Sequence, residues 1–97
     1  MIRNVVVGRL RPGIDPSEIQ PALDAILAMR VEGVTYTVAA GVDLGLREGA
    51  ASYAITGDFA DEDAYRAYDA DAEHNRIRRE MFAPLSETVE RVQFRLP

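Results

Sequence analysis

Apolar positions along the chain change period six times, and each change marks an element. From residue 2 to 10 they alternate, with Ile2, Val6 and Leu10 on one face and Val5 and Val7 on the other, which predicts a first strand. Arg11-Pro12-Gly13 is a turn. Asp15-Pro16-Ser17-Glu18 then has the form of a helix start, with a capping carboxylate, proline in the first turn and glutamate three residues after the cap. Ile19, Leu23, Ile26 and Leu27 recur at helical spacing, so a helix is expected to about Arg30, with Pro21 as a potential kink. Gly33 ends it. Val34 to Asp43 alternates again, with Val34, Tyr36, Val38 and Val42 against Thr35, Thr37, Ala39 and Gly41. After a glycine-containing loop from Leu44 to Gly49, Ala51 to Phe59 reads as strand three. A helix begins near Asp61 and is interrupted around Ala70 and Asp71. A further helical pattern of His74, Ile77, Met81 and Phe82 closes at Pro84, and residues 86 to 96 form a last strand, Val92, Phe94 and Leu96 alternating with Arg91, Gln93 and Arg95.

The order βαββαβ predicts an α+β, ferredoxin-like fold, a four-stranded antiparallel sheet with helices on one face. The other face then needs a cover. Strands two and three carry Thr, Ala, Gly and Ser there instead of the charged residues of a water-facing sheet, and strand one adds Val5 and Val7. A sheet lacking a solvated face is expected to pack on a second copy, giving a homodimer in which two sheets close a barrel.

Composition narrows the function classes. The 97 residues suffice for a single domain spanning 1–97. Sixteen acidic against eleven basic residues give a net charge of −5, which argues against nucleic acid as a partner. No apolar run reaches membrane-span length and the first ten residues lack the form of a signal segment, so a cytoplasmic protein with no membrane partner is expected. Without cysteine there is no disulfide, thiolate metal site or cysteine nucleophile, and a single histidine excludes the usual zinc sets; no metal or cofactor is expected. All eleven basic residues are arginine, which removes Schiff-base chemistry and reads as the codon bias of a high-GC bacterial genome.

Several segments, in order and at matching spacing, resemble the stress-responsive A/B barrel family, also called Dabb, of dimeric α+β barrel domains. They are Ile2-Arg3-Asn4-Val5-Val6, Leu10-Arg11-Pro12-Gly13 leading into Asp15-Pro16-Ser17-Glu18, Gly33-Val34, Leu44 through Gly49, Tyr53-Ala54 through Asp58-Phe59, and Tyr68 ahead of His74. The resemblance implies a homodimer with a central barrel and helices outside. Family members carry a tyrosine followed by a His-Pro-x-His run, and a histidine on strand one. Tyr68 and His74 match the tyrosine and the second histidine, whereas Asp71, Ala72 and Asn4 stand where the family has histidine, proline and histidine. In plant polyketide-cyclase members the strand-one histidine, the second histidine of the run and the tyrosine form an acid/base pocket, so the resemblance implies that two of three roles are present.

His74 and Tyr68 are thus the candidate catalytic pair. A buried imidazole can serve as general acid or base near neutral pH; the competing structural reading is a core or boundary histidine hydrogen-bonded to Asn4 or a tyrosine. Asn4 sits among aliphatic residues, where an unpaired amide costs about 1–3 kcal/mol, so it needs a partner and His74 is the natural one. With Val6, Tyr53, Ile77 and Met81, Asn4 makes up the candidate binding residues. Asp61, Glu62 and Asp63 read as carboxylates on a helix dipole rather than a cation site. Arg76, Arg78 and Arg79, interleaved with Glu73 and Glu80, read as a solvated helix face. The 45–49 loop is no phosphate loop and is expected to be a mobile rim over the pocket. Three functions follow: binding of a small, largely apolar organic molecule; cofactor-free acid/base catalysis of cyclase, isomerase or lyase type; or a structural, stress-related assembly whose pocket is filled.

Overall fold

A computed structural model describes residues 1–97. Strands β1 (Ile2–Leu10), β2 (Tyr36–Val42), β3 (Tyr53–Phe59) and β4 (Ser86–Arg95) form one antiparallel sheet in the order β2-β3-β1-β4. Helices α1 (Gln20–Ala28), α2 (Glu62–Ala70) and α3 (Ala72–Ile77) accompany it, so the fold is ferredoxin-like, as the element order predicts. The first helical stretch is divided. Asp15 caps a 3-10 turn over Pro16–Glu18 by accepting from the Ser17 amide, and Glu18 accepts from the Asp15 amide, completing the predicted capping box. Pro21 falls in the first turn of α1, where its missing N–H removes no helical hydrogen bond, so no kink results. Strands two and three begin two residues later than the alternation suggests, and β4 ends one residue sooner.

Register shows what each face presents. On the side covered by helices, Tyr36, Phe59, Ile2 and Arg95 lie in one row, then Val38, Gly57, Asn4 and Gln93, then Ala40, Ile55, Val6 and Arg91, then Val42, Tyr53, Gly8 and Val89. The opposite side carries Thr37, Asp58, Arg3 and Phe94, then Ala39, Thr56, Val5 and Val92, then Gly41, Ala54, Val7 and Glu90. Only four of these twelve residues are ionisable or aromatic, and Arg3 and Asp58 neutralise each other through a two-pronged ion pair at 2.7 and 2.9 Å. Phe94 and Val92 are 45% and 56% exposed on this uncovered side.

The core fills the other side. Ile19, Leu23 and Ile26 bring α1 down on the sheet, and Phe59 stacks on Tyr36 with ring centroids 5.4 Å apart. Gly8 makes room for Tyr53: a Cβ there would stand 2.0 Å from the tyrosine ring, so the ring lies directly over the β1 backbone. At that end the Tyr53 hydroxyl shares a 2.8 Å hydrogen bond with Ser86 Oγ, and burial raises its pKa.

Candidate functional site

Between the sheet and the α3 segment lies a cavity of about 180 Å³. Its floor is the helix side of β1 and β3, with Asn4, Val6, Tyr53 and Ile55; Tyr65, Tyr68 and Asp69 of α2 and His74 of α3 wall it. The chain then departs from α-helical geometry. Residues Arg78–Phe82 form a π-helical turn in which the Ala83 amide donates to the Arg78 carbonyl at 2.9 Å. Such wide turns interrupt helices at functional sites. This one lines the cavity with Arg78, Arg79, Phe82 and Ala83, opposite Val89 and Arg91 of β4.

His74 is 8% exposed, and its Nδ1 is the one buried side-chain polar atom with no hydrogen-bond partner. Its position is set from the backbone: Asp71 caps α3 by accepting from the His74 amide at 3.0 Å. The Asp71 carboxylate therefore holds the segment that bears His74. Burial pushes the imidazole pKa below its ordinary value, aided by Arg78 and opposed by the Asp69 carbonyl and the Asp69 and Asp71 carboxylates. At neutral pH the ring is a neutral base. Tyr68 packs against it, ring centroids 4.3 Å apart, and on its other side meets Tyr36 and Phe59 at 5.1 and 5.0 Å. Burial is the main cause of a strongly raised Tyr68 pKa, so this phenol is a proton donor in hydrogen bonds and no source of phenolate.

The structure thus brings together His74, Tyr68, Asn4, Val6 and Tyr53, but departs from expectation elsewhere. Asn4 is not the partner of His74: its Oδ1 accepts from Gln93 Nε2 at 2.9 Å, across the β1–β4 pair. Ile77 is buried in the core and Met81 packs against it, so neither lines the cavity, which takes Arg78 and Phe82 at four-residue steps from His74 instead. The 44–50 loop contributes nothing to the wall; it projects from the β2–β3 end with Leu44 and Leu46 83% and 86% exposed. Of the expected solvated arginine face, Arg76 is exposed and paired with Glu73 and Glu80 and Arg79 is exposed as well, whereas Arg78 is half-buried; both Arg78 and Arg79 line the cavity. Arg91 was missed altogether. It stands opposite Val6 in register, and the alternation of β4 holds the signal, since every second residue of that strand shares a face with Asn4 and Val6. For a metal the site offers one histidine and one carboxylate, and no group of three potential ligands forms anywhere in the chain.

A fold and a cavity of this kind define a class of small α+β sheets with one uncovered face, and the family model of the stress-responsive A/B barrel domain matches residues 2–95. The chain belongs to that family. Among solved structures, a dimeric ferredoxin-like protein from Thermobifida fusca YX superposes with a TM-score of 0.82 at 27% identity, covering 98% of this chain and 90% of that one. A mutant of SnoaB, a cofactor-independent oxygenase from Streptomyces nogalater, gives 0.73 at 20% identity, covering 98% and 91%. Hydroxynitrile lyase from Passiflora edulis gives 0.71 at 15% identity, covering 99% and 93%. No curated protein sequence matches the chain. No helix is long and apolar enough to cross a membrane.

Proposed function

We propose that the protein is a homodimer, joined through the uncovered face of its sheet, that binds a small and largely apolar organic molecule in the cavity beside His74. The observation that carries the ligand is the orphaned Nδ1 of His74. A buried nitrogen without a partner costs about 1–3 kcal/mol, and a ligand hydrogen-bond donor reaching it removes that penalty. At about 180 Å³ the cavity is smaller than the roughly 300–1,000 Å³ of drug-sized sites, so the ligand is compact, one or two rings in size. The dimer is supported by Val5, Val7, Val92 and Phe94 on a sheet face that no helix covers, and by the dimeric Thermobifida fusca relative.

Acid/base catalysis without a cofactor is the second reading. It is favoured by the same nitrogen, held unprotonated by burial beside the Tyr68 phenol, and by the cofactor-independent oxygenase and the lyase among proteins of this fold. In this reading His74 takes a proton from the substrate while Tyr68 donates a hydrogen bond to the oxygen that gains charge.

Native mass spectrometry of the purified protein tests both parts. A dimer of the 10.7 kDa chain carrying a small organic adduct that is lost in His74→Gln is expected. A concentration-independent monomer would overturn the dimer, and an adduct unaffected by the substitution would place the ligand elsewhere.

A further inference from the structure

The arginines of α2, α3, the π turn and β4 divide into two sets. Arg66, Arg76 and Arg95 each reach at least one carboxylate: Arg66 pairs with Glu62 and Asp63, Arg76 with Glu73 and Glu80, and Arg95 with Glu62. Arg78, Arg79 and Arg91 have no ion pair, and all three line the cavity. Only one carboxylate, Asp69, shares that wall with them, so the charged side chains there carry a net excess of two positive charges on a chain whose net charge is −5. Arg78 is half-buried, and its guanidinium has a single polar contact, a 3.0 Å hydrogen bond to Asn75 Oδ1. A guanidinium has five N–H donors, so most of this one's capacity is free. Arg91 projects from β4 on the helix side, in register with Val6 on the cavity floor.

We propose that the ligand of this cavity carries a carboxylate, held by Arg78 and Arg91 at one end, while its apolar body lies against Tyr53, Ile55, Tyr68 and Phe82. This rests on the ligand-binding reading above and names the chemical class it takes. Guanidinium groups suit a carboxylate because their planar fork matches its two oxygens, and the attraction is stronger at half-buried Arg78 than at exposed Arg91. Arg9, Arg11 and Arg30 also lack a carboxylate but spend donors on backbone carbonyls, and none of them lines the cavity. What sets Arg78, Arg79 and Arg91 apart is that they share one cavity wall, where an external anion can meet them. Arg79, the more exposed, contributes at long range by drawing the anion to the mouth.

The test compares 2-naphthoate with 2-naphthamide, which have nearly the same shape and differ in charge, by fluorescence titration of the full-length protein. The protein has no tryptophan to interfere. At about pH 8, where His74 is neutral, 2-naphthoate should bind about tenfold more tightly than the amide, and Arg78→Gln and Arg91→Gln should each remove most of that preference by weakening 2-naphthoate far more than the amide. Circular dichroism of both variants establishes that they fold. Equal affinity for the two probes, or equal losses for both in the arginine variants, would overturn the carboxylate while leaving an apolar site in place. Binding of neither would overturn the ligand-binding reading together with this one.

Discussion

The two halves of the layer beneath the helices differ although one sheet floors both. Over β2 and the Phe59 end of β3 the space is filled: Phe59 meets Tyr36, Tyr65 and Tyr68 at centroid distances of 5.0–5.5 Å, and Ile19, Leu23 and Ile26 close the layer from α1. Over β1, β4 and the Tyr53–Ile55 part of β3 the same layer opens into the cavity, and the side chains from the sheet there include Asn4 and Arg91. The cause is local. β4 turns Val92 and Phe94 away from the helices and Arg91 and Gln93 toward them, so Val89 is the one apolar residue that strand contributes to the cavity wall. Tyr68 stands on the boundary, one side in the aromatic core and the other against His74. Stability is therefore expected to reside in the first half and ligand handling in the second.

The largest effect should come from the filled half. Phe59→Ala removes a ring that is 1% exposed and contacts three others, and such truncations cost about 3–5 kcal/mol. Urea denaturation should show that loss, and a loss below about 1 kcal/mol would mean this half is less tightly packed than its contacts imply.

Gly8→Ala is next, and acts at the edge of the cavity. The new methyl would occupy space held by the Tyr53 ring, which must shift and strain its bond to Ser86; overpacking of this kind costs about 1–3 kcal/mol. Because Tyr53 lines the cavity, the variant should also bind 2-naphthamide more weakly, whereas Phe59→Ala protein that remains folded should bind it normally.

His74→Gln should have the smallest effect on stability, below about 1 kcal/mol near neutral pH, since it leaves no large void and the site already lacks a partner for Nδ1. Its pH dependence is more informative. The folded pKa of His74 lies below the unfolded one, so between the two the unfolded chain binds more protons, and stability falls as pH drops below the unfolded value of about 6.5. In the glutamine variant that fall should be shallower. The lowered carboxyl pKa of Asp58, caused by Arg3, acts only at more acid pH, below the usual aspartate value, and is common to both proteins. Identical stability profiles from pH 7 to about 5 would show that burial does not perturb this imidazole.

Most of the fold was legible because it depends on local signals. Alternation located all four strands, the Asp15–Glu18 box located the first helical turn, and the break at Asp71 falls where that residue caps α3. The site was legible in part. Tyr68, His74, Asn4, Val6 and Tyr53 share one cavity, but the pairing of Asn4 with Gln93 depends on strand order, which joins residues 89 positions apart. Helical spacing from His74 allows either the three-residue step to Ile77 or the four-residue step to Arg78, and the first was expected, so Ile77 and Met81 were placed on the cavity and Arg78 and Phe82 were not. Alternation on β4 distinguishes two faces without saying which one the helices cover, and so Arg91 was overlooked.

The claim that the opening beside His74 is a binding site is tested most directly by the histidine itself, since the chain contains a single one. Nitrogen-15 NMR of the labelled imidazole, followed over pH and then with increasing 2-naphthoate, reports on that ring alone. A resonance that titrates below the ordinary imidazole range in the free protein and moves in step with probe saturation is the predicted result. An imidazole that titrates normally and stays unchanged while the probe binds would contradict the account.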